Sequence, residues 1–119
     1  MSVHVAVDIG ASSGRVIVAE YEDNHFEVSE VHRFKNGFGH VDGHDRWNID
    51  DLFDNILKGL AKVKERGIAE CTLGIDTWAV DYVLVKDGEK LGHPIAYRDS
   101  RTQNGVENVF AKFSKEDLY

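Results

Sequence analysis

At 119 residues the chain has room for one modest core and not for two. Hydrophobic residues at 42% and charged residues at 29% are ordinary for a globular protein, and a formal net charge of -7 leaves no global basic field to gather nucleic acid or an acidic membrane surface. The single cysteine, Cys71, excludes an internal disulfide and reads as a small buried core residue. No apolar run approaches membrane-spanning length, and the N-terminus lacks a basic-then-apolar leader, so the cytoplasm is the expected compartment.

Val3 to Ile9 reads as a buried strand that carries Asp8 near its end. Gly10 to Gly14 is a tight turn of small residues, and Arg15 to Tyr21 a second strand rich in β-branched side chains. A polar turn at Glu22, Asp23 and Asn24 leads to a third strand, Phe26 to Phe34. Short turns make these three an antiparallel meander. Asn36 to Trp47 is glycine-rich and reads as a loop. The helix from Ile49 to Arg66 is the clearest element, with Leu52, Ile56, Leu60 and Val63 on one face. Asp50 and Asp51 near its start and Lys62 and Lys64 near its end complement the helix dipole, and Gly67 fits the left-handed stop.

Cys71 to Ile75 then reads as a buried strand leading into Asp76. A helical crossover favours a parallel partner, which places this strand beside the first. Val80 to Val85 and Lys90 to Tyr97, joined through Asp87-Gly88, read as a hairpin. A helix follows from Gln103 to Phe113, with Val106, Val109, Phe110 and Phe113 on one side. Ser114 and Asp117 then resemble the capping box of a further helix. That pattern, barely one turn long, suggests that the natural protein continues. The order strand-strand-strand-helix-strand is that of the ribonuclease-H-like α/β fold of actin and hexokinase-type ATPases: a mixed sheet with flanking helices, here an incomplete lobe.

Three segments carry the chemistry. In Asp8-Ile9-Gly10-Ala11-Ser12-Ser13-Gly14-Arg15, glycines permit close backbone approach, turn N–H groups and serine hydroxyls supply donors, and Arg15 adds a planar cation. That set suits phosphate. Asp8 fits beside phosphate when a magnesium ion lies between them. The turn joins two strands, so it is neither a Walker nor a Rossmann loop. In the segment from Gly74 to Tyr82, Trp78 offers a face for a sugar ring and Asp81 an acceptor for hydroxyls, while Asp76 ends beside Asp8. In Tyr97 to Thr102, Asp99 and Arg101 either pair at the surface or reach a polyhydroxylated ligand. His40 and His44 have only a superficial metal-like spacing.

DIGASSGR at 8–15 resembles the first phosphate motif of the FGGY carbohydrate kinases. HRFKNG at 32–37, GIDTWAVDYVL at 74–84 and AYRDSRT at 96–102 resemble the branch of that family that acts on L-rhamnulose. The resemblance spans nearly the whole chain. It implies ATP-dependent, magnesium-assisted transfer of phosphate to the 1-hydroxyl of a sugar. Residues 1–119 would be the first part of the N-terminal lobe, with the second lobe absent. Ala11 to Arg15 would approach the ATP phosphates, with Asp8 organising the metal. Ala79 would contact the sugar, where the family pattern has glycine. The proton-accepting Asp would lie beyond Tyr119, so the resemblance implies an inactive chain that self-associates through exposed core surface. Two rival readings stand beside it. One is a non-catalytic module that binds a sugar or a partner. The other is a metal-dependent nuclease built on Asp8, Asp76 and Asp81, which the net charge disfavours.

Overall fold

The computed structural model describes residues 1–119, which form two compact units: residues 1–37 with 49–79, and residues 38–48 with 80–119.

The first unit is a four-stranded sheet with a helix against it. Strands β1 (Ser2–Ile9), β2 (Ser13–Glu22) and β3 (His25–Lys35) form the expected meander. Asp23 and Asn24, at φ of 50° and 59°, make its second turn, because their short polar side chains tolerate the left-handed region. Helix α1 (Ile49–Glu65) precedes β6 (Thr72–Thr77), which pairs in parallel with β1. The sheet order is β3-β2-β1-β6.

Side-chain alternation divides the sheet into two faces. Val5, Val7 and Ile9 of β1 lie opposite Val18, Val16 and Gly14 of β2 and face α1, which packs on β2 and β3 through Leu52 and Val63. Val16 and Val18 are fully buried, each contributing about 1.5–3 kcal/mol. Two glycines let this face close. A Cβ on Gly14 would overlap the Phe34 ring, and one on Gly59 of α1 would lie 2.9 Å from Val16 Cβ. A polar tie also joins helix and sheet. His32 donates from Nε2 to buried Asn55, 3.2 Å away, while its Nδ1 accepts from Lys62.

β6 departs from the expectation of a buried strand. It is exposed throughout, with Leu73 49% and Ile75 56% accessible, because α1 covers β2 and β3 rather than this edge. Cys71, at its entrance, is exposed for the same reason and is not a core residue.

In the second unit the expected loop is a hairpin. β4 (Phe38–Val41) pairs with β5 (His44–Trp47) across Asp42-Gly43, both at positive φ. Trp47 is buried, with Phe38 edge-on at 5.3 Å. Residues 94–96 run beside β5: Trp47 N donates to Pro94 O, and Ala96 N to Asp45 O. The second expected hairpin shrinks to β7 (Val85–Lys86) and β8 (Glu89–Lys90) around Asp87-Gly88. Val80 starts no strand, because its φ of 71° lies outside the extended region. Helix α2 (Arg101–Phe110) starts and ends earlier than expected, and none of its residues is buried. Ser114 and Asp117 do form the reciprocal box, at 3.0 and 3.2 Å, ahead of a 3-10 turn at Glu116–Leu118.

The contact at Gly59 yields a stability prediction. Gly59→Ala gains about 1 kcal/mol of helix propensity but incurs overpacking of about 1–3 kcal/mol, since the new methyl meets a buried β-branched side chain. Denaturant titration is expected to show a net loss of about 1–2 kcal/mol. Adding Val16→Ala should restore about 1 kcal/mol relative to the sum of the single variants. Strict additivity would place the constraint elsewhere.

Candidate functional site

The first unit gathers the phosphate-type residues at one end of its sheet. Gly10 N donates to Ser13 O at 2.9 Å and closes the turn. A Cβ on Gly10 would stand 3.2 Å from that oxygen, which explains the glycine. Directly beyond the turn Asp8 and Arg15 are cross-strand partners on the face away from the valine core. Arg15 Nη1 donates to Asp8 Oδ2 at 3.0 Å, and Nη2 donates to Ser13 Oγ at 3.1 Å. Arg15 Nε is buried and has no partner. An unpartnered buried donor on a cation is costly, and a side-chain shift that exposed it would let an oxyanion accept from it.

The register extends this arrangement across the sheet. Asp8 lies beside Asp76 of β6, and Arg15 beside Arg33 of β3. Two carboxylates and two guanidinium groups therefore form one row. Arg33 is held by Glu30 through two hydrogen bonds of 2.8 Å, and that pairing lowers the Glu30 pKa and raises that of Arg33. Asp8 is half-buried, and Arg15 engages its Oδ2. The donor set fits a nucleotide phosphate at the turn, and Asp8 fits a magnesium ion held directly or through water. Ala11 and Ser13 are half-buried and Ser12 is exposed in the same turn, whereas Gly14 is buried behind it.

Sequence reasoning overlooked Asn36. Its N–H donates to Ser12 O at 3.0 Å and its Nδ2 to Gly10 O at 2.8 Å, so it clamps the turn from the end of β3. The signal was present, since Asn36 stands in the HRFKNG block.

The remaining candidates divide between the units. In the first, Trp78 is half-buried and packs against the core cluster, and Ala79 is exposed. In the second, Asp81 Oδ2 accepts from Trp47 Nε1 at 2.6 Å. Asp99 is 2% exposed and has both oxygens engaged. Oδ1 accepts from Asp45 N at 2.7 Å, while Oδ2 accepts from His44 Nδ1 at 2.9 Å and Arg101 N at 3.1 Å. Asp99 therefore locks β5 to the start of α2 and fixes the backbone of Arg101. His44 is thus committed to Asp99, and His40 to Asp45 at 3.1 Å. No group of three or more His, Cys, Asp or Glu side chains assembles that could hold a metal, and no helix is long and apolar enough to cross a membrane.

No protein-family model matches the chain. Among curated proteins it is similar to the rhamnulokinase of Ligilactobacillus salivarius, 58% identical over 100% of this chain and 25% of that protein. The rhamnulokinases of Lactiplantibacillus plantarum and Bacillus subtilis are 52% and 48% identical over 100% and 98% of the chain. The chain spans about a quarter of the length of these relatives. Among solved structures, xylulose kinase from Rhodospirillum rubrum superposes with a TM-score of 0.70 at 21% identity, covering 96% of this chain and 24% of that one. Gluconate kinase from Lactobacillus acidophilus gives 0.69 at 14% identity, covering 93% and 23%. The fold is part of the actin/hexokinase type, with the mixed sheet that the element order implies.

Asp99 makes the second unit acid-sensitive. Hydrogen bonds from Asp45 N, first, and from His44 outweigh burial and lower its pKa from 3.8 to about 2. A depressed folded-state pKa contributes stability that is complete above the unfolded value and is lost as pH falls through the folded one. Unfolding followed by far-UV dichroism should show stability falling between pH 3.8 and about 2. Asp99→Asn should be less stable at neutral pH and flatter across that window. An unchanged slope would assign the acid response to other carboxylates.

Proposed function

We propose that this chain is part of an ATP-dependent sugar kinase, with L-rhamnulose as the sugar and its 1-hydroxyl as the acceptor. The carrying observation is the Gly10–Gly14 turn, with Arg15 bridging Asp8 and Ser13 while its buried Nε lacks an acceptor. Similarity over the whole of this chain, and a quarter of each relative, to rhamnulokinases supports the choice of sugar.

On this reading the turn N–H groups, Ser12 and Ser13 bind the ATP phosphates, and Arg15 supplies positive charge through Nε. Asp8 holds magnesium, whose chemistry is to neutralise charge on the phosphates. Asn36 keeps the turn rigid, so little reorganisation is needed on binding. Phosphoryl transfer rests mainly on such positioning and charge stabilisation. Trp78, Ala79, Asp81 and Arg101 are proposed as sugar contacts, each from the chemistry of its own segment. Asp99 acts on the sugar through the position it gives Arg101 rather than by direct contact. The methyl of Ala79, exposed in this chain, trims the space left by the family's glycine and tunes the choice of ketose. The cytoplasm, where ATP and free ketoses occur, is the proposed compartment.

The test is ATP consumption with L-rhamnulose by the protein as it is encoded. Arg15→Gln should lower kcat/KM by roughly a hundredfold, the scale of one lost charge-stabilising donor. Wild-type activity in that variant would overturn the role given to Arg15. The 119-residue chain alone, a quarter of its relatives' length, should show no turnover, and measurable turnover would refute this.

A second expectation concerns association. The exposed edge of β6, with Leu73 and Ile75, and the apolar side of α2 leave surface that another copy of the chain would cover. Sedimentation velocity should show mass rising with concentration. A monodisperse monomer at all concentrations would remove the proposal.

A further inference from the structure

The second unit contains a cleft of about 210 Å³, and of its lining residues the kinase reading uses only Arg101. Arg46, Tyr82, His93 and Arg101 supply its polar wall, and Leu84, Leu91, Pro94 and Ile95 its apolar wall. No carboxylate lines it. The cationic character is real because neither arginine is neutralised. Arg46 Nη1 donates to His93 O at 2.7 Å and Nε to Val41 O at 3.2 Å, both uncharged carbonyls. Neither Arg46 nor Arg101 forms a salt bridge. The nearby carboxylates are committed elsewhere: Asp45 to His40, Asp81 to Trp47 and Asp99 to His44.

Two unneutralised guanidinium groups facing one small cavity are unusual in a chain of net charge -7. They are held on fixed backbone. Arg46 sits on β5 and is tied to the 94–96 segment through the Arg46–Ile95 bridge, while Asp99 fixes the backbone of Arg101. Like charges brought together this way repel until an anion lies between them. Guanidinium groups prefer oxyanions that accept paired hydrogen bonds, and two positive charges match a dianion. The apolar wall gives room for a small uncharged body behind the anionic head.

We propose that this cleft binds a small phosphate monoester. The site is separate in sequence from the Gly10–Gly14 turn, and the proposal stands whether or not that turn binds ATP. Gly92 guards one side: a Cβ there would come 3.6 Å from Arg46 Nη1, so a larger side chain would cover the guanidinium.

The experiment is a titration of the isotope-labelled chain with inorganic phosphate and with methyl phosphate, followed by amide NMR. Saturable shifts are expected at Gly92, His93 and Arg101. Phosphate bound at the other turn moves Gly10 to Arg15 instead, so the two sites report separately. Arg101→Gln removes an exposed side chain and should weaken the cleft response roughly tenfold, leaving the turn response intact. Gly92→Leu should weaken it as well, without changing charge. Lys112→Gln makes the same charge change away from the cleft and should have no effect. The proposal fails if the cleft amides do not respond, or if Lys112→Gln weakens binding as much as Arg101→Gln. Tighter binding of methyl phosphate than of inorganic phosphate supports a monoester, and equal or weaker binding overturns that assignment.

Discussion

The first unit depends on the ion pair between Asp8 and Arg15. Strand alternation forces the choice: with Val7 and Ile9 in the core, Asp8 must point the other way. The same rule turns Arg15 away from the core while Val16 enters it. Antiparallel register then sets the two charges opposite each other. Hydrophobic packing on one face thereby fixes ionic geometry on the other, and a one-residue slip of either strand would turn its charge toward the core. The pair is 3.0 Å long and only partly exposed, so water screens it less than a surface pair. It also leaves buried Arg15 Nε without an acceptor.

The second unit uses a different device. It has little apolar burial beyond Trp47 and Ala96, and buried Asp99 takes hydrogen bonds from three separate groups instead. A buried carboxylate is tolerable when it is satisfied to this degree. The cost is directional: the same bonds that hold the unit together at neutral pH are lost once the carboxylate takes a proton.

Most of the first unit was legible in the sequence because its signals are local and repeated. Alternation in β1 and β2, the apolar stripe of α1 and the stop at Gly67 each report on a single element, and each matches the structure. The crossover rule then fixed the β1–β6 pairing. Burial of β6 was misread because an apolar run shows only that a strand seeks cover, not that this length of chain supplies it. The β4–β5 hairpin was missed although Asp42-Gly43 carries the same turn signal that was recognised at Asp87-Gly88. Glycines at 37, 39 and 43 masked it, along with the weakly alternating residues around them. In the candidate site, the turn and Asp8 were legible from residue chemistry, whereas the clamp by Asn36 arises from a contact 26 residues away in sequence. No local pattern encodes such a contact.

Of the five non-glycine residues at positive φ, only Val80 lies in a segment that carries candidate site residues. Asp23, Asn24, Asp42 and Asp87 have positive φ, and all are residue types that accept it in tight turns. Val80 is the exception. A β-branched residue at φ 71° costs on the order of 1–3 kcal/mol, and with 78% of its surface exposed it gains little packing in return. Turn chemistry therefore does not account for it. The strained residue lies between Ala79 and Asp81, both proposed as sugar contacts. Asp81 is itself anchored by a 2.6 Å hydrogen bond from buried Trp47. An anchor of that kind is what a strained backbone needs to persist, since it removes the relaxed alternative. At Val80 the chain gives up local stability, and Asp81 beside it is held by Trp47.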